Sequence, residues 1–175
     1  MGQYQQAIAD FDQALVLDPN FAASYYGRGT IYYKLGQGQA SYDSLSQAIA
    51  LAPNWVDPYI NRGLILTNAG LREEALNDFN QALTLDPDSI VALVNRSSLL
   101  VRTGNYVAAL NDCNRLLSLN PNMAVAYNNR GVALAALGEN AQAKQDLETA
   151  IALFAQQGDT QGQIRATKFL TKLFP

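Results

Sequence analysis

Proline recurs at Pro19, Pro53, Pro87 and Pro121, each 34 residues after the last. Glycine recurs at Gly2, Gly36, Gly70, Gly104 and Gly138 on the same period. A fixed period of this length is the signature of stacked repeats, in which no single unit can bury its own apolar face. The stretch from Val56 to Ser89 shows one unit clearly. It reads as an amphipathic helix, a turn at Ala69-Gly70, a second amphipathic helix and a stop at Asp86-Pro87. Glycine suits a turn that needs a left-handed backbone, and proline cannot continue a helix.

The register within the unit is equally regular. The first helix (A) carries a large residue at Tyr25, Tyr59, Leu93 and Tyr127, then a small one at Gly29, Gly63, Ser97 and Gly131. The second helix (B) carries a small residue at Ala7, Ser41, Ala75, Ala109 and Ala143. It then places Phe11, Leu45, Phe79, Cys113 and Leu147, followed by Ala14, Ala48, Ala82, Leu116 and Ala150. Small Gly63 and Ala75 let the two helices approach, while Tyr59 and Phe79 fill the space beside them. On these residues the chain closely resembles the tetratricopeptide repeat (TPR) family over roughly residues 2 to 157. The Asn-Arg-Gly style of its A helices and its amide richness resemble bacterial, especially cyanobacterial, members. Ser97, Leu116 and Ala155 depart from the pattern. Leu116 is expected to widen the local helix spacing, and Ala155, where a fifth proline would fall, to let the last B helix run on.

The expected fold is all-α: ten helices, no strand, and a right-handed α-solenoid of 34-residue units forming a single domain over 1–175. Residues 1–21 form a half repeat with helix B only. Repeats follow at 22–55, 56–89, 90–123 and 124–157, and a capping helix at 158–175. Repeat 1 has the weakest B helix, with Gly38, Ser41 and Ser44 in it. Asp57-Pro58 is expected to cap the A helix of repeat 2, and Asp159 or Thr160 the last helix. That last helix should turn Ile164, Ala166, Phe169, Leu170 and Leu173 toward the array, with Arg165, Lys168 and Lys172 outward. The first helix lacks an A partner, so Ile8, Phe11 and their neighbours point to a homo-oligomer joined there, or to a fragment of a longer protein.

Composition narrows the function. Charged residues are 15% of the chain against about 25% in ordinary globular proteins, and the net charge is -3. With no Lys/Arg cluster, nucleic-acid binding through a basic field is not expected. No apolar run reaches the roughly 18 residues of a membrane span, and no signal peptide is visible, so a cytoplasmic location is expected. The absence of histidine removes Ser-His-Asp and Cys-His catalysis and most zinc sites. Cys113 lies at an apolar helix position and reads as core. Glu73 and Glu74 suit a helix N-terminus. Gly27-Arg28-Gly29 falls mid-helix and is no phosphate loop. Neither an enzyme nor a cofactor or metal site is expected.

The resemblance implies that the A helices line a concave surface. The residues expected there are Tyr26, Thr30 and Tyr33; Ile60, Asn61 and Leu64; Val94, Asn95, Ser98 and Arg102; and Asn128, Asn129 and Val132. Asn61, Asn95 and Asn129 recur at one position. Amides both donate and accept, so such a row could hold a peptide backbone, as in the similar asparagine ladder of the O-linked sugar transferases, or simply bind water. The family's carboxylate clamp for chaperone C-termini is not expected, because its lysine and arginine positions hold Tyr26, Val91 and Asn95 in one window and Ile60, Val125 and Asn129 in the next. Arg28, Arg62, Arg96 and Arg130 share a period with Asp10, Asp78, Asp112 and Asp146, Ser44 taking the remaining slot; structural pairing follows. The function expected is a protein-protein interaction module binding a peptide or helix of a partner protein. The alternatives are a self-assembling array and the accessory region of a larger enzyme.

Overall fold

A computed structural model describes residues 2–174, and among them are ten α-helices and no strand. They are α1 (Gly2–Leu17), α2 (Ala22–Lys34), α3 (Gly38–Leu51), α4 (Val56–Asn68), α5 (Arg72–Leu85), α6 (Ile90–Thr103), α7 (Tyr106–Leu119), α8 (Ala124–Ala136), α9 (Asn140–Gln156) and α10 (Thr160–Leu173). Helices α2, α4, α6 and α8 are the A helices; α1, α3, α5, α7 and α9 are the B helices. Backbone contacts divide the chain into two compact units, residues 1–87 and 88–175. The first holds α1 to α5 and the second α6 to α10.

Each A-to-B turn is closed the same way. At Gly70 φ is +80°, a left-handed conformation that glycine adopts without steric cost. The N–H of Leu71 then reaches back to the carbonyl of Leu66 at 2.9 Å, satisfying an orphan carbonyl of α4. The same backward bond joins Gln37 to Tyr32, Asn105 to Leu100, Glu139 to Leu134 and Asp159 to Phe154. The last of these uses Gly158 (φ +72°) to end α9, which runs 17 residues where α3, α5 and α7 run 14, as Ala155 in place of proline implies. Gly2 differs from the other periodic glycines: it lies inside α1, not in a turn.

Helices within a repeat dovetail. A Cβ built on Gly63 would stand 2.7 Å from the ring of Phe79, and one on Gly131 would stand 2.9 Å from Leu147 Cγ. Phe79 and Leu147 are fully buried, each contributing about 1.5–3 kcal/mol of apolar burial. In repeat 3 both partners change together. Ser97 replaces the glycine and the smaller Cys113 replaces the ring, so the added hydroxyl finds room. Leu116, one turn beyond Cys113, is also fully buried.

One expected cap is corrected, and so is the face that α10 turns inward. Asp57 does not cap α4; the helix begins at Val56, and the Asp57 carboxylate accepts from Trp55 Nε1 at 3.0 Å. On α10 the cap is Asp159, which accepts from the N–H of Gly162 at 2.8 Å. Only Ala166, with Leu170 in part, turns inward as expected; Ile164, Phe169 and Leu173 are exposed. The small residues set this rotation. Gly162 packs against the ring of Phe154 and Ala166 joins a cluster with Ala124, Ala150 and Phe154, so the bulkier residues point off that line.

Candidate functional site

The arginine row is structural. Arg62 Nη2 meets Asp78 Oδ1 at 2.7 Å, Arg96 Nη2 meets Asp112 Oδ1 at 2.6 Å, and Arg130 Nε meets Asp146 Oδ2 at 2.6 Å. Each pair is two-pronged, the geometry in which a guanidinium is most selective. The carboxylates are buried, and their hydrogen bonds raise the affinity of Arg62 and Arg130 for their protons despite the opposing cost of burial. The same arginines also reach the preceding B helix: Arg62 to Ser46 at 3.0 Å and Arg130 to Asn114 at 3.0 Å. In repeat 1 the slot of the carboxylate is Ser44, so Arg28 bonds it weakly at 3.3 Å and pairs backward with Asp12 at 2.5 Å. Asp10 stands outside this row and accepts from Gln6 instead.

The A-helix residues expected to line a groove fall in both compact units, each taken by itself. In the first unit the ring of Tyr26 stacks on Trp55 at 4.5 Å, and its hydroxyl accepts from Asn61 Nδ2 at 3.2 Å. The Tyr33 hydroxyl accepts from Asn68 Nδ2 at 3.1 Å. Thr30 turns its hydroxyl onto the Tyr26 carbonyl, and Leu64 is half-buried. Ile60 is 4% exposed and belongs to the core, not to an open surface. Gly27, next to Tyr26 on α2, packs against the ring of Phe11 from α1.

In the second unit Val94, Ser98, Asn128 and Val132 are half-buried and Arg102 is exposed. Asn95 donates to the Val91 carbonyl of its own helix at 2.8 Å. Asn129 does not face an open groove: it is 7% exposed and donates to Ser98 Oγ at 2.9 Å. The amide row is therefore divided. Asn61 and Asn129 tie one A helix to the A helix before it, and Asn95 serves its own backbone. Asn128 donates to Asn129 Oδ1 at 3.3 Å, leaving its own Oδ1 buried without a partner among the described residues.

Sequence reasoning passed over one feature of the first unit. A cleft of about 880 Å³ opens where the end of α2 and the start of α3 face the end of α4 and the start of α5. Tyr33, Tyr42, Ile65, Leu66 and Leu71 form its apolar walls, with Lys34, Gln39, Asn68 and Glu74 among its polar groups. The signal was in the register. Gly38 stands where the later repeats hold Arg72, Tyr106 and Asn140, and Ala40 where repeat 2 holds Glu74.

Among the described residues no group of three or more His, Cys, Asp or Glu could hold a metal ion, and no helix is long and apolar enough to cross a membrane. Cys113 is fully buried, and burial pushes its thiol up to about 12. A thiol so placed is inert toward reagents in water.

Comparison with known proteins follows the same lines. TPR family models match residues 1–36, 22–54, 56–89 and 96–168. No match was found among curated protein sequences. Among solved structures the chain is similar to YrrB, described as a TPR protein with an unusual peptide-binding site. The two are 26% identical over 95% of this chain and 84% of that one, with a TM-score of 0.79. It is similar in fold to MamA at 19% identity, over 90% of this chain and 92% of that one, with a TM-score of 0.82. It is also similar in fold to PilW, a type IV pilus biogenesis factor, at 22% identity, over 99% and 88% of the two chains, with a TM-score of 0.71. The period, the dovetailed helix pairs and the four family matches agree: the chain belongs to the tetratricopeptide repeat family and has its all-α solenoid fold.

Proposed function

We propose that this chain is a protein-protein interaction module that holds a peptide or helix of a partner protein against its A helices, a scaffold role without catalysis. One observation carries the proposal. In each unit successive A helices meet, α2 with α4 and α6 with α8, while no comparable contact joins α3 to α5 or α7 to α9. Helices drawn together on one side and splayed on the other make the A side the inside of a curve, the surface on which helical-repeat proteins present binding residues. The half-buried residues there, among them Tyr26, Leu64, Val94 and Val132, offer apolar contact at little ordering cost. The likeness to YrrB supports a peptide as the ligand class.

Peptides selected by display against the chain provide the test. Their binding should be lost on Leu64→Glu or Val132→Glu and kept on Asn77→Lys, which alters an exposed position of α5. Melting curves exclude unfolding of the variants. Selected peptides indifferent to both groove changes would overturn the proposal. A second reading, self-association through α1, is favoured by Val16 and Leu17 at its C-terminal end, 75% and 79% exposed, whereas the expected Ile8 and Phe11 are half-buried. A mass that does not rise with concentration would remove it.

A further inference from the structure

We infer that the cleft between the turns of repeats 1 and 2 is an anchor pocket for one large apolar side chain of a bound peptide, flanked by an acidic residue on the Lys34 side and a basic residue on the Glu74 side. The inference rests on the peptide-binding function proposed above and specifies which residues such a peptide would carry. Three independent features support it. The first is size: about 880 Å³ lies within the range of roughly 300–1,000 Å³ that holds a drug-sized ligand, which leaves room for a large side chain together with the residues on either side of it. The second is chemistry. The walls are aromatic and aliphatic, from Tyr33, Tyr42 and Leu71, and the polar groups are few, as in sites that bury an apolar group and orient it by its ends. Lys34 and Glu74 both border the cleft, yet neither forms an ion pair with any described residue. Opposite free charges across an apolar pocket favour a segment that bears the complementary charges on either side of its anchor, and disfavour the reverse arrangement.

The third feature is the origin of the space. At the first position of helix B the later repeats carry Arg72, Tyr106 and Asn140, whereas repeat 1 carries Gly38. A Cβ added at Gly38 would meet nothing within 4 Å, and its φ lies outside the left-handed region. Glycine is therefore not demanded there by the backbone or by packing. It costs helix stability relative to other residues, and what it leaves is the open wall of the cleft.

The same register supplies the test. Gly38→Tyr copies the residue of repeat 3 and should set a ring in the cleft beside Leu71 and Tyr42, obstructing it without lowering the melting temperature; Gly38→Ala should leave it open. The probes are blocked tripeptides, Asp-Trp-Lys and Lys-Trp-Asp, which cover both chain directions, with Asp-Ala-Lys and Lys-Ala-Asp as controls. Binding is followed through the backbone amide signals of Gly36, Gly38 and Leu71. One Trp peptide should bind wild type and Gly38→Ala at least about tenfold more tightly than its Ala control, equivalent to ~1.4 kcal/mol, and should fail on Gly38→Tyr. Equal binding to Gly38→Tyr, or signals that move only elsewhere, would overturn the inference, as would no binding of either Trp peptide at millimolar concentration. Display-selected peptides lost on Leu64→Glu but kept on Gly38→Tyr would overturn the pocket and leave the wider function standing.

Discussion

Cys113 shows how a single side chain sets a solution property. It fills the position held elsewhere by Leu45, Phe79 and Leu147, and burial pushes its thiol up to about 12, far above the usual value of ~8.5. The folded chain therefore keeps this proton where the unfolded chain loses it. Stability from this group is intact below the unfolded value and declines as pH rises from about 9 toward 12, by at most ~1.4 kcal/mol per pH unit. Cys113→Ala removes the titration along with some packing. Its deficit in melting temperature relative to wild type should be clear at pH 7 and should narrow by pH 10. Parallel curves for the two proteins would mean that the thiol ionises in the folded state.

At the scale of the element, the turn decides more than the helix. Gly70 at φ +80° is required by its backbone; Gly38 is not. Gly70→Ala should cost about 1–2 kcal/mol for a left-handed L-residue, while Gly38→Ala should stabilise slightly. Thermal unfolding of the two variants should therefore show shifts of opposite sign. These turns were legible in the sequence because glycine marks a backbone state directly, and the helix-pair dovetail was legible because volumes recur on the period. Side-chain direction on the A helices was not. Ile60 and Asn129 share a helical face with residues that are accessible, and only the approach of one A helix to the next decides that both are covered. The rotation of α10 escaped for a related reason: Gly162 and Ala166 win the contact because they are small, which an apolar pattern scores against them. The cleft was written in the register as a missing side chain, a signal visible only when repeats are compared with one another.

For the whole molecule, stability is close to a sum over repeats and their neighbours. Arg130→Ala strands the buried Asp146, which should cost about 3 kcal/mol, the low end for a buried pair because a quarter of the arginine side chain is solvated. Native-state hydrogen exchange should record that loss in α8 and α9, with amide protection in α2 and α3 unchanged. Uniform loss along the chain would mean a single cooperative block instead. The matched volumes at Gly63 and Phe79, and at Ser97 and Cys113, also bear on how such a chain could be rebuilt. Moving α7 into repeat 2 would set a thiol opposite a glycine and leave a void the size of a ring. Moving α6 onto α5 would drive a hydroxyl into that ring. Single helices are thus not interchangeable parts. The smallest piece that could be duplicated, shuffled or transplanted without a repacking penalty is the hairpin, cut at its prolines.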